Sequence, residues 1–94
     1  MDEPKIIIAN WKMNLDVVAS VDLAHQLRQE LESSPIREGV ETAVCPSFDA
    51  IAMVKSTLDG SSVKVGAQDV FWQEKGAYTG EVSASMLHAA GASL

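Results

Sequence analysis

Ninety-four residues suffice for at most one small domain, and 47% hydrophobic against 21% charged residues is a globular composition, without low-complexity tracts or internal repeats. Thirteen acids against seven bases leave a net charge of -6, and the bases Lys5, Lys12, Arg28, Arg37, Lys55, Lys64 and Lys75 are scattered. That balance argues against nucleic acid or an anionic membrane as a partner, although one well-placed lysine still suits a small anion. Lys5 to Ala9 contains Ile6-Ile7-Ile8, a continuous β-branched run that predicts a strand covered on both faces. From about Asp16 to Glu32, the residues Val17, Val21, Ala24, Leu27 and Leu31 recur at spacings of three and four and predict an amphipathic helix. Ser33-Ser34-Pro35 should stop it, because proline disfavours helical geometry in the residue before it. Val40 to Cys45 predicts a second strand, closed by Pro46. A second helix should run from about Phe48 to Leu58 with Phe48, Ile51, Val54 and Leu58 inward, and Asp59-Gly60 is a turn signal. Val63 to Ala67 predicts a third strand. Ser83 can cap a short third helix through Ala90, with Gly91 in the left-handed position just past its end.

The order is βαβαβα, the pattern of an α/β fold with a parallel sheet and right-handed crossovers. One connection stands out. Gln68 to Val82 spans fifteen residues, where roughly two to six are typical. Long connections are functional or disordered, and Phe71, Trp72 and Tyr78 argue for order in this one.

A single cysteine, Cys45, excludes an internal disulfide and fits a reducing compartment. Between Val44 and Pro46 it reads as a small buried side chain at a strand end, in preference to a nucleophile. The start Met1-Asp2-Glu3-Pro4 is acidic where a secretory leader is basic, and the longest uncharged run is far short of a membrane span. A soluble cytoplasmic chain is expected. His25 and His88 both fall in helical segments and read as structural or solvated.

Asn10-Trp11-Lys12-Met13-Asn14 follows the first strand, at the sheet edge where parallel α/β folds bind ligands. A lysine there, beside an asparagine able to fix it, could supply positive charge to a phosphate or a developing oxyanion. Alone, it reads as a solvated lysine in a loop, in preference to a functional one. A second segment adds weight: Gly66-Ala67-Gln68-Asp69, then Lys75-Gly76-Ala77-Tyr78-Thr79-Gly80-Glu81-Val82-Ser83. With Cys45-Pro46-Ser47-Phe48 between them, these motifs resemble the triosephosphate isomerase family in order, spacing and placement, over nearly the whole chain.

The resemblance implies a (β/α)8 barrel, of which residues 1–94 are the N-terminal part, ending before the fourth strand. It implies an enzyme of glycolysis and gluconeogenesis that interconverts dihydroxyacetone phosphate and glyceraldehyde 3-phosphate without cofactor or metal. Lys12 matches the catalytic and substrate-binding lysine, and Asn10 its substrate-binding neighbour. Met13, Asn14, Gln68, Tyr78, Thr79 and Glu81 match a homodimer interface, with Thr79 at the tip of a loop that enters the neighbouring subunit. Asp69 stands where many members have asparagine, and neither histidine matches a catalytic position. The family is itself the usual worked example of a glutamate base, a neutral histidine and a closing loop. By resemblance, that histidine follows the fourth strand and the glutamate the sixth.

This reading is an isomerase fragment, inactive alone. Its rivals are a non-catalytic module that self-associates or binds a complementary C-terminal segment, one half of a split enzyme, and a different phosphate-binding barrel. Three strands with helices on one side should leave the barrel-lining face open, with Ile7, Val44 and Val65 at risk there.

Overall fold

The computed structural model describes Glu3, residues 5–34 and residues 39–94. Met1, Asp2 and Pro4 of the acidic start, Arg37, and Pro35 as the expected helix stop lie outside the described residues. The β-branched run forms strand β1, Lys5–Asn10. Helix α1 follows over Val17–Ser33, opened by Asp16, whose carboxylate accepts from the Ala19 amide at 2.8 Å. Strand β2 is Val40–Cys45, and a 3-10 turn over Phe48–Ala50 leads into helix α2, Ile51–Leu58. Regular strand β3 covers only Lys64–Val65, shorter than expected. Its extended path continues, since the Gly66 amide still donates to Val44 O at 2.9 Å and Ala67 to Leu94 O at 3.0 Å. Helix α3 is Ala84–Ala90, capped by the Ser83 hydroxyl. Gly91 ends it at φ +119, and a Cβ there would lie 2.6 Å from the Lys55 side chain, so both backbone and space require glycine.

The strands make one parallel sheet in the order β1-β2-β3, with Ala9 opposite Val44 and Val44 opposite Val65. Side chains alternate along a strand, so register fixes the faces. Ile7, Ala9, Thr42, Val44 and Val65 share one face. Ile6, Ile8, Asn10, Glu41, Ala43, Cys45 and Lys64 share the other. Val44 and Val65 belong to a core with Ala24 of α1, Ile51, Val54 and Leu58 of α2, and Leu87 of α3. The core therefore lies between sheet and helices, and Val44 and Val65 do not line the open face as expected. They are buried beneath α1 and α2. The open face instead carries Ile6, Ile8 and the Glu41–Lys64 ion pair at 3.8 Å.

The expectation that β1 is covered on both faces is also corrected. Ile6, Ile7 and Ile8 are 57–60% exposed. Among the described residues β1 is an edge strand with no pairing on its outer side, and the helices cover the middle of the sheet. Phe48 leaves the expected inner stripe and is 40% exposed. It sits on the 3-10 turn above the sheet's C-terminal rim, before the helix layer has begun.

At the opposite rim Arg28 links the two helices. Its Nη1 donates to Thr57 O at 3.0 Å and Asp59 O at 2.7 Å, while its Nε pairs with Glu32 at 2.9 Å. Two orphan carbonyls at the end of α2 are thereby satisfied by a side chain from α1.

One core residue escaped the periodicity argument. Ser20 of α1 is 1% exposed, and its hydroxyl has no hydrogen-bond partner among the described residues. A buried, unpaired hydroxyl costs stability, and alanine is also the better helix former. Ser20→Ala is expected to raise unfolding free energy by about 1 kcal/mol. Urea midpoints of both proteins at one protein concentration check this; a lower midpoint for the variant would mean that Oγ is satisfied in solution.

Candidate functional site

The C-terminal rim of β1 carries the residues singled out by sequence. Asn10 ends the strand, and its Oδ1 accepts from the Lys12 backbone amide at 2.8 Å. Sequence reasoning anticipated a bond to the lysine; it is made to the main chain. Lys12 has φ +55, the sole positive φ among the described non-glycine residues. Such a residue persists only where its surroundings over-determine the backbone.

The surroundings do so through four hydrogen bonds. The Trp11 amide donates to Cys45 O at 3.1 Å, tying the loop to the end of β2. The Asn14 side chain donates to Trp11 O at 3.1 Å. Asn10 takes the Lys12 amide, and Gln68 Nε2 donates to Lys12 O at 2.8 Å. Both main-chain polar groups of Trp11 and of Lys12 are thus satisfied. Gln68 uses its second amide hydrogen on Cys45 O at 2.9 Å, so one side chain joins the ends of all three strands. Trp11 packs on the core from above and gives the loop its apolar anchor. The Lys12 side chain is exposed at this rim.

Of the residues picked out by sequence, Asn10, Lys12, Asn14 and Gln68 come together here, with Met13 exposed beside them. Tyr78, Thr79 and Glu81 lie elsewhere, in the long connection between β3 and α3. No described hydrogen bond links them to Asn10 or Lys12. Two links of the lysine loop's framework are not foreseen from sequence. Trp11 reads only as part of the lysine motif, and Gln68, matched to the interface by resemblance, reaches across 56 positions to the loop itself.

Cys45 is buried under this rim. Burial pushes its thiol up from the ordinary value, against the opposing pull of a Gly66 backbone hydrogen bond. It is the small buried side chain anticipated, poorly suited to nucleophilic work. His25, His88 and Asp69 are exposed. Among the described residues no group of three histidine, cysteine or acidic side chains could hold a metal, and no helix is long and apolar enough to cross a membrane.

The family model for triosephosphate isomerase matches residues 5–94. The chain belongs to the triosephosphate isomerase family. Curated family members include triosephosphate isomerases of Dehalococcoides mccartyi (strain BAV1) and Moorella thermoacetica. Each is 46% identical over 82 residues, covering 87% of this chain and 31% of the relative. The crystal structure of triosephosphate isomerase from Bartonella henselae superposes with a TM-score of 0.83 at 28% identity, over 95% of this chain and 35% of that one. The three strands and their helices are thus a segment of a (β/α)8 barrel. This chain spans about a third of the length of the family members it matches.

Gln68 offers a direct test of how the lysine loop is held. Gln68→Met keeps the length and apolar stem of the side chain but has no donor for either carbonyl. Two lost hydrogen bonds predict about 2 kcal/mol of destabilisation. The Lys12 loop should also loosen locally, visible as faster amide exchange at Trp11 and Lys12 than at Val44. Equal exchange at all three sites would mean that the loop is held by something other than Gln68.

Proposed function

We propose that this chain carries the anion-binding lysine of a triosephosphate isomerase and lacks the rest of its active site. The single observation behind this is Lys12 itself: a cationic side chain, held on a strained backbone by four hydrogen bonds, at the strand edge where barrel enzymes bind substrate. Strain of this kind costs about 1–3 kcal/mol and is a common feature of functional sites.

In the reaction proposed, a proton is removed from the carbon next to a carbonyl and returned to the neighbouring carbon. The intermediate is an enediolate, and the substrate carries a phosphate. Lys12 stabilises both negative charges, which is why its position matters more than the chain's net charge of -6. Asn10 acts by fixing the Lys12 backbone. The base and the electrophile come from residues outside this chain. Family membership and the match to residues 5–94 support the reading; the single unpaired cysteine fits cytoplasmic residence.

The isolated chain should show no isomerisation above the buffer rate. A missing general base alone removes about 10²–10⁴-fold. In a protein completed through all eight βα units, Lys12→Ala should lower kcat/KM by about 10²–10³-fold, the usual effect of deleting one charge-stabilising group. Activity of the isolated chain that disappears on Lys12→Ala would overturn the fragment reading. The proposal extends to a homodimer in which Met13, Asn14, Gln68, Tyr78, Thr79 and Glu81 lie at or near the interface. In the completed protein, Thr79→Arg would bury an unpaired charge there, at a cost of several kcal/mol. Mass measured against concentration should then show dissociation.

A second reading has its own observation. Ile6, Ile7 and Ile8 are exposed along an unpaired strand edge, a surface that favours association with another chain. The 94-residue chain would then self-associate or capture a complementary barrel segment, without chemistry of its own. Sedimentation of the pure chain should give a mass above its 10.0 kDa. A monodisperse monomer that melts cooperatively would remove this reading.

A further inference from the structure

The long connection between β3 and α3 is closed at its base. The Phe71 amide donates to Val82 O at 2.8 Å, and Phe71 pairs with Ser83 in an isolated parallel bridge. A loop whose ends meet and whose own side chains pack inside it is an Ω-loop, a class that is ordered from within. The packing comes from Phe71, which is half-buried. Its ring centroid lies 4.7 Å from that of Tyr78 at an interplanar angle of 46°, inside the range of favourable aromatic pairs. At the tip, the Glu81 amide donates to Tyr78 O at 3.0 Å and closes a turn.

Gly76 completes the fit. It sits at φ +146, and a Cβ there would lie 2.6 Å from Tyr78 Cε2 and 2.9 Å from Cδ2. The backbone at 76 therefore passes against the flank of the Tyr78 ring, with no room for a side chain. Neck, ring pair and tip turn are three separate constraints, and all arise within residues 71–83.

We infer that Phe71 is the internal brace of an arm, residues 71–82, that is folded before it meets any partner. The arm presents Ala77, Tyr78 and Thr79 as a fixed surface. A partner that binds it does not have to supply the free energy of ordering the loop. Phe71 is in this sense a positioning residue, acting on the tip through Tyr78. The arm's order belongs to the chain itself and stands or falls apart from the docking reading above.

Lys75 lies exposed within the arm and gives trypsin a place to cut, while Arg28 and Lys55 in helices report on global unfolding. In the unmodified chain, cleavage at Lys75 should be slow compared with a free peptide of residues 68–84, and unchanged on dilution. Phe71→Ala should raise it about tenfold relative to Lys55, because the opened arm becomes populated once the ring pair is lost. Gly76→Ala should do the same without touching Phe71, and decides the matter if Phe71→Ala unfolds the whole chain. Trp72→Ala, at an exposed ring 6.0 Å from Phe71, should change the rate less than about twofold. Two results would overturn the inference: cleavage at the free-peptide rate, or protection that fades on dilution, which would mean that a partner orders the arm.

Discussion

The positive φ at Lys12 is the constraint around which this end of the molecule is arranged. A lysine in that conformation is unfavourable in isolation, so neighbouring groups must hold it. Each hydrogen bond that does so comes from a different place in the chain: the end of β1, the turn after it, the end of β2 and Gln68, three residues past β3. The loop is consequently a sensor of whether the three strands are in register. If β3 slipped by one residue, Gln68 would be carried about 3.3 Å along the strand direction, and Lys12 O and Cys45 O would both lose their donor.

How much of this the sequence reveals depends on the range of the interaction. Local signals were legible. Ser83 as a cap, Gly91 past the last helix, and the Ile51–Val54–Leu58 stripe all follow from spacing within one element. The lysine motif was legible because five consecutive residues carry it. What depends on two elements at once was not. The burial of Ser20 follows from how α1 sits against its neighbours, and its residue type argues for the surface. Gln68 is matched to the interface by resemblance, and its bond to Lys12 O appears only once β3 brings the two together. The apolar run of β1 correctly predicted a strand, but not which surfaces would cover it, since that depends on neighbours beyond its own pattern. The faces of Val44 and Val65 needed the register, which no composition supplies.

The arm between β3 and α3 obeys a different logic from the lysine loop. The lysine loop borrows its order from three strands, whereas the arm draws its order from its own neck, ring pair and turn. Long-range constraint suits a group whose position must track the sheet. Local constraint suits a projection that must keep its shape away from the core. Both are loops at the C-terminal side of the strands, so position in the fold does not by itself say how a loop is held.

The two rims of the sheet divide the remaining work. The C-terminal rim carries an exposed lysine, strained backbone and few apolar contacts beyond Trp11. Stabilising interactions concentrate at and below the middle of the sheet. There α1 and α2 bury Ala24, Ile51, Val54 and Leu58 against Val44 and Val65, and Arg28 ties the end of α2 to α1. In barrels of this type the upper rim serves chemistry and the lower rim serves stability. The separation has a physical reason. Strain at Lys12 of about 1–3 kcal/mol is tolerable only if packing elsewhere exceeds it, and packing placed at the rim itself would cover the lysine. Keeping the core on the helix side of the sheet leaves the charge accessible while the strands beneath it stay fixed. The separation of Lys12 from the Arg28 clasp is therefore part of how an exposed charged edge and a stable body fit on one short sheet.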